Sequence, residues 1–386
     1  MRVTLRGYGT VLAGIVLLIG GLYFGYPELA VVGAAATGAF IAALSIGLRR
    51  WSLRVDRVVE PERVTRGEAC RGIVRMEHKA RWRGMDLHAT DRCSYPVGVV
   101  PVPVPVLRLE PGVQSTVHYA LPSDQRGVIE IGPLTIERRD LFDLVRVSKQ
   151  YGGTRKVWVH PKVQLLRAIP AGTARSLDGV IDKVEHGNIT FHALREYVRG
   201  DDLRQVHWRT SAKVGQLMVR EHVDTSLPRM VVLLDDRQIA YPDPQDFEVA
   251  VEAAASVIIA ALRGNLAVDL HLASGAYLSS GGASEGAQAF LDLLTEVRLH
   301  EETTGLFEVT RRMRQRRVGD TLIALTGPEG EKNLDAVAGL RDAFPSIVAT
   351  VLGRSEPGTA SEQGMLVIGA STVDDFARSW DGVRTW

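Results

Sequence analysis

Between Phe191 and Asp224 the chain reads FHALREYVRGDDLRQVHWRTSAKVGQLMVREHVD, the stretch richest in groups able to do chemistry. Asp201, Asp202 and His207 are the residue types of a general acid–base set, or of ligands for metal-assisted hydrolysis. A simpler account is available, because adjacent aspartates at a helix start are explained by capping. His207 lies about one turn beyond them rather than on a separate converging loop. No nucleophile elbow, phosphate-binding loop or dinucleotide glycine pattern occurs, and Gly281-Gly282 and Gly327-x-x-Gly330 are too short to cradle a phosphate. The second chemistry open to the segment is ion pairing. Arg195, Arg204 and Arg209 can pair with Glu196, Asp201, Asp202 and Glu221 to form a locked polar network, whose members are costly to remove singly. Both charge signs are interleaved, which excludes a simple basic patch for nucleic acid.

These residues need elements to hold them. Phe191–Val198 alternates as a strand, and Gly200 supplies a turn. Asp202 and Gln205 fit a capping-box variant that opens a helix through Trp208 to Gly215, with Trp208 in the core. Leu217–Val223 reads as a second strand. The run Leu194-Arg195-Glu196-Tyr197, Gly200-Asp201-Asp202, Arg204, Trp208, Ser211-Ala212-Lys213 and Val219-Arg220-Glu221 resembles the signature of the bacterial domain of unknown function 58 family. Lys213 stands where many members carry Arg. The resemblance implies a membrane hairpin, a β-rich middle, the signature segment and a von Willebrand factor A-like domain. It also implies a partner, since members are commonly associated with MoxR-type AAA ATPases and sometimes with transglutaminase-like membrane proteins.

The rest of the 386 residues accommodates that layout. Gly7–Pro27 and Leu29–Leu48 are free of charge apart from the hairpin's Glu28, and each can supply the ~20 apolar residues a membrane-crossing helix needs. Pro27 between them forces a hairpin. Arg2 and Arg6 precede the first run, and Arg49, Arg50 and Arg54 follow the second, so both ends are expected on the cytoplasmic side. Trp51 and the tyrosines sit where interfacial anchors belong. Net charge is only +1, and two cysteines, Cys70 and Cys93, are too few for a disulfide framework.

Val55 to about Leu166 carries short apolar runs broken by Gly and Pro, the texture of an antiparallel sandwich or barrel-like domain. Pro101, Pro103 and Pro105 mark an edge strand or extended connector. Asp140-Leu141-Phe142-Asp143-Leu144 resembles the run that commonly ends the family's β-domain, with Asp143 standing where glycine is usual. Pro170–Asn188 reads as a connector or a flap. From Arg229 short apolar strands alternate with helices, as in a doubly wound sheet. The expected strands are Met230–Leu234, Leu266–Leu272, Asp320–Thr326, Ile347–Leu352 and Met365–Ile368. The expected helices are Asp246–Arg263, Ser284–Val297, Gly305–Arg316, Lys332–Ala343 and Val373–Arg378.

The resemblance places a metal-ion-dependent adhesion motif, Asp-x-Ser-x-Ser, after the first strand of the α/β domain. Here that position reads Asp235-Asp236-Arg237-Gln238-Ile239, with neither serine. Asp235 and Arg237 are expected to form a structural ion pair instead, with Ser279 and Ser280 able to line the same edge. The fold expected is two transmembrane helices (1–50), an all-β sandwich-like domain (55–166), the linker and signature segment (167–227), and a doubly wound von Willebrand factor A-like domain (228–386). The function expected is a non-catalytic adaptor in the cell membrane, multi-pass, with its termini and soluble domains cytoplasmic and no cofactor. It would work with a MoxR-type AAA ATPase on a membrane or cell-envelope complex. The alternative is a membrane-bound hydrolase using Asp201, Asp202 and His207.

Overall fold

The computed structural model describes residues 1–48, 53–78, 85–95, 98–110, 113–140, 142–167, 169–170, 189–197, 206–224, 229–280, 286–301, 305–316, 319–354, 358–362 and 364–383. Arg49, Arg50, Trp51 and the connector beyond Pro170 lie outside them. The chain divides into two units, Met1–Lys162 with Leu291–Glu296, and Val163–Phe290 with Val297–Trp386.

The first unit opens with β1 (Arg2–Val3), α1 (Leu5–Phe24) and α2 (Pro27–Leu48). Both helices are long and apolar enough to cross a membrane. Thr4 caps α1 by accepting from the Gly7 amide at 3.0 Å, Gly25 ends it at φ 74°, and Pro27 takes the first position of α2. The buried residues of α1 are Gly7, Gly14 and Gly21, a seven-residue spacing that keeps them on one face. A Cβ on Gly14 would sit 2.8 Å from Thr37 Oγ1, and one on Gly21 would collide with the Ala30 backbone. Glycine therefore sets the close approach of the two helices.

Ten further strands follow: β2 (Leu53–Glu60), β3 (Arg63–Thr65), β4 (Cys70–His78), β5 (Met85–Tyr95), β6 (Gly98–Leu109), β7 (Gln114–Leu121), β8 (Gly127–Ile131), β9 (Leu134–Arg139), β10 (Val145–Tyr151) and β11 (Arg155–His160). One sheet runs β1-β10-β9-β5-β8-β11-β3, with β6 paired to β5, and a second runs β2-β4-β7. The sheets share one core: Val74 and Met76 from the small sheet cluster with Leu87, Ile129, Leu134 and Ile136 from the large one. Each such side chain contributes about 1.5–3 kcal/mol on burial. Pro101 and Pro103 lie in β6, opposite Arg92 and Thr90, as an edge strand permits. Asp143 adopts φ 54°, the left-handed turn that glycine would take more easily.

One polar network is embedded in this core. Arg57 on β2 donates to both carboxylate oxygens of Asp91 on β5, at 2.9 and 3.1 Å, and to the carbonyls of Ile131 and Gly153. The Tyr119 hydroxyl on β7 donates to the same carboxylate. Tyr119 lies over its cross-strand partner Gly72, where any Cβ would strike the ring. The network joins both sheets.

The second unit holds β12 (Ile189–Glu196), α3 (Trp208–Val214) and β13 (Met218–Asp224), then β14 (Arg229–Leu234), α4 (Pro244–Arg263), β15 (Ala267–Leu272) and β16 (Tyr277–Ser279). After these come α5 (Ala287–Glu296), whose residues from Leu291 onward belong to the first unit, and then α6 (Gly305–Arg316), β17 (Thr321–Thr326), α7 (Leu334–Ala338), β18 (Ser346–Leu352), β19 (Gly358–Glu362), β20 (Met365–Ala370) and α8 (Val373–Asp381). Strands β12 and β13 form a separate antiparallel pair. The main sheet runs β16-β15-β14-β17-β18-β20-β19, parallel except for its two outer strands.

Val231 and Leu233 face α6 and α7, while α4 packs on β14, β15, β17 and β18 and against α8. Three expectations need correction. Helix α4 starts at Pro244 on an Asp243 cap, not at Asp246. The expected helix Lys332–Ala343 is a 3₁₀ turn, Pro328–Asn333, followed by the five-residue α7. The antiparallel strands β16 and β19 were not anticipated, because β16 is three residues long and β19 is exposed throughout and carries no apolar alternation.

Cys70 and Cys93 are free and buried. Burial, and secondarily the Asp91 charge, pushes the Cys93 thiol up to about 12. A thiol raised above its unfolded value of about 8.5 stabilises the fold below that pH, and the contribution is lost as pH rises towards 12. Iodoacetamide at pH 8 is therefore expected to spare both cysteines in the folded chain and to modify both in guanidinium. Equal rates in the two states, read by mass spectrometry, would contradict this burial.

Candidate functional site

The signature segment is built around β13. On one side β13 pairs with β12, Arg195 opposite Val219 and Glu196 opposite Met218, with a bulge between Phe191 and Ala193. On the other side Val206 bridges to Val219, and the His207 amide donates to the Met218 carbonyl at 2.7 Å. Helix α3 begins at Trp208, not near Asp202. Its cap is His207, whose Nδ1 accepts from the Thr210 amide at 3.2 Å. Ser211 is the buried residue of α3: its hydroxyl donates to the His207 carbonyl at 3.1 Å and accepts from the Met218 amide at 2.8 Å. Gly215 ends the helix at φ 78°, as expected.

This arrangement fastens a two-turn helix to a strand without covering its apolar side chains. Trp208 is 65% exposed, against the expectation that it belongs to the core, and Val214 and Leu217 are exposed as well. A seven-residue helix that buries one serine has no apolar face with which to shelter an indole. Glu196 and Lys213 are exposed and Tyr197 is half-buried. Gly200, Asp201, Asp202 and Arg204, together with the side chain of Arg195, lie outside the described residues. Capping accounts for His207 Nδ1, so the described part of the proposed acid–base set has a structural task.

The second place to look is where the sheet reverses its winding. The chain leaves β14 to build β15 on one side, then β17 on the other, and such switch points open at the carboxyl ends of the strands. Here that end is filled. Asp235 follows β14, and its amide donates to Leu325 on β17. Arg237 donates Nε to Asp235 Oδ1 and Nη2 to Oδ2, both at 2.7 Å, and Thr326 Oγ1 donates to Oδ2 at 2.8 Å. Asp235, Asp236 and Arg237 are all buried. A carboxylate in that setting is costly unless paired, and the fork of an arginine is the geometry that pairs it best.

Burial works to lower the Arg237 guanidinium, but the bond and charge of Asp235 outweigh it and hold it above its ordinary value. Asp236 accepts from the Ser274 amide at 2.8 Å, and burial raises its carboxyl despite that bond. The loops beyond close over the pair. Gly327 lies where a Cβ would collide with the Ala240 carbonyl, and Gly330 where one would strike Thr326 Oγ1. Their spacing reflects loop packing rather than a phosphate cradle.

The ion pair expected between Asp235 and Arg237 is thus present. Ser279 and Ser280 do not join it. Ser279 sits opposite Asp269 and donates to it at 2.5 Å, and Ser280 accepts from the Val268 amide, so both lie towards the opposite end of β15. Thr326 and Ser274 complete the site and were missed, because each comes from a strand end far along the chain and no local pattern marks it.

The fold is therefore a helix-covered, mainly parallel sheet with its switch point closed by its own arginine. Residues 193–329, running from β12 into the 3₁₀ turn after β17, match the family model described as Protein of unknown function DUF58. The match spans about a third of the chain. No curated protein matches.

Among solved structures, similarity is found to an alkylpurine DNA glycosylase, AlkC, from Pseudomonas fluorescens, at 13% identity over 32% of this chain and 38% of that one, with a TM-score of 0.20. It is also found to a putative ApaA protein from Bordetella pertussis, at 11% identity over 29% and 96%, with a TM-score of 0.23. A β-glucosidase from Listeria innocua matches at 12% identity over 29% and 17%, with a TM-score of 0.20. The chain spans well under two thirds of the glycosylase and the glucosidase, and likeness this slight carries no argument.

Arg237→Ala should strand Asp235 as an unpaired buried charge and cost about 3–5 kcal/mol. Arg237→Ala/Asp235→Ala should recover part of that loss. Denaturant unfolding measures both, and a single variant as stable as the parent would show that the pair does not neutralise the site.

Proposed function

We propose that the chain is a membrane-anchored, non-catalytic adaptor that docks a MoxR-type AAA ATPase and acts on a membrane or cell-envelope complex. In this reading α1 and α2 form the transmembrane hairpin, and residues 55–166 are a sandwich-like spacer. The main sheet is a von Willebrand factor A-like domain whose metal position has been taken over by Arg237. Both termini and the folded domains face the cytoplasm, in keeping with Arg2, Arg6 and Arg54 flanking the apolar runs. A transglutaminase-like membrane protein is the second partner class the family resemblance adds.

One observation carries the reading. The polar crevice where a sheet of this kind would take a small ligand is filled from within, while Trp208 and its apolar neighbours in the signature segment stand in solvent. Tryptophan, with tyrosine and arginine, is enriched at binding hot spots. An adaptor needs a surface of that kind and needs no open catalytic pocket.

The test is affinity capture of a purified MoxR-type AAA ATPase of the same organism by the full-length chain in detergent, beside Trp208→Ala with its folding confirmed. Capture by the parent and a loss of about tenfold or more in the variant is expected for a hot-spot residue. Equal capture by both would remove Trp208 from the interface, and no capture by the parent would remove the ATPase.

A further inference from the structure

We propose that a groove at the membrane end of the first unit binds one anionic phospholipid, its phosphate on Arg6 and an acyl chain along α1. The inference rests on the membrane-anchored reading above. The groove measures about 640 Å³ and is lined by Arg6, Thr10, Ala13, Ala39, Phe142 and Leu144.

Its depth in the bilayer is fixed by hydrogen bonds. Thr4 donates its amide to the Leu144 carbonyl at 3.0 Å and its hydroxyl to the Asp143 carbonyl at 2.6 Å. Gly7 lies so close to the Leu144 carbonyl that a Cβ there would collide with it. The turn before β10 is therefore held level with the first turn of α1, where that helix enters the apolar layer. Phe142, 62% exposed at the tip of the turn, stands at the same level. An aromatic ring there belongs to the headgroup boundary rather than to water.

The occupant follows from what surrounds the groove. Leu5, Leu12 and Val16 on α1 are exposed and apolar, so acyl chains must cover them once the helix is inserted. The small side chains at Ala13 and Ala39 leave the hollow beside them into which one such chain fits. Arg6 is exposed and makes no salt bridge among the described residues. The acid nearest to hand, Asp143, is already spent on Arg146, which donates to it at 2.8 and 2.7 Å. That hydrogen bond, with smaller contributions from the charges of Arg146, Arg139 and Arg6, holds the Asp143 carboxyl below its usual range. Arg6 feels the Asp143 charge but makes no hydrogen bond to it; a guanidinium so placed at the mouth of an apolar groove suits an anion that carries its own hydrocarbon, and a phosphate presents the two oxygens its fork can grip.

The experiment is native mass spectrometry of the full-length chain extracted in detergent and offered equimolar phosphatidylglycerol and phosphatidylcholine with identical acyl chains. The parent should retain phosphatidylglycerol in preference by about fivefold, the factor one basic side chain provides at an anionic surface. Arg6→Gln should abolish the preference and Arg6→Lys restore most of it, each with unchanged thermal unfolding. Equal retention of the two lipids by the parent, or an unchanged preference in Arg6→Gln, would overturn the lipid site while leaving the anchor intact. Recovery of the chain in the supernatant of carbonate-washed membranes would instead overturn the anchor and the site with it.

Discussion

A carboxylate at the end of a buried parallel strand has to be neutralised, and in this chain the neutralising charge comes from two residues away. Asp235 and Arg237 meet through two bonds of 2.7 Å in a place that excludes water. Much of the second unit is arranged to keep them there. Thr326 spends its hydroxyl on the same carboxylate, and Gly327 and Gly330 let the following loop close without a Cβ in the way. A divalent cation and a guanidinium have the same use for Asp235 and cannot both have it. The arginine is covalently tethered and always charged, so Asp235 has a neutralising partner built into the chain.

The first unit solves a similar problem with different residues. Arg57, Asp91 and Tyr119 bring three buried polar groups from two sheets into one set of bonds, and Gly72 makes room for the tyrosine ring. Networks of this kind add little net stability, but they penalise every arrangement of the strands that leaves a member unpaired. Seen with Gly7 against Leu144 and β1 paired to β10, this gives a β-domain with fixed strand order carrying a helical hairpin attached by backbone bonds rather than by a linker. A hairpin held in that way keeps a fixed position relative to the turn beside it.

How much of this was legible depended on whether the determinants were local. The two apolar runs, the proline between them, the Gly215 stop and the Asp235–Arg237 pair all depend on neighbours within a few residues, and each is found where the residues imply. The turn at Asp143, which stands where glycine is usual, was left open by the sequence, and it is left-handed. What depended on distant partners was not legible. The start of α3 is set by Val206 and His207 joining β13, which outweighs the capping pattern at Asp202. Trp208 looks like core by composition, yet the helix that carries it buries only a serine. Ser279 and Ser280 seemed near Asp235 by chain order, but the antiparallel return of β16 carries them to the other end of the sheet. The Arg57–Asp91–Tyr119 set joins residues from three strands and has no sequence signature at all.

The claim on which the functional reading turns is that Arg237 has displaced a metal at the switch point, leaving a closed scaffold. Calorimetric titration of the purified full-length chain with Mg²⁺ tests it most directly, alongside Arg237→Ser/Ile239→Ser, which rebuilds the Asp-x-Ser-x-Ser pattern. The parent should give no saturable heat up to millimolar Mg²⁺, and the double variant should gain a binding isotherm. Saturable, stoichiometric binding by the parent that is lost in Asp235→Asn would contradict it, and would return the sheet edge to the class of metal-dependent ligand sites.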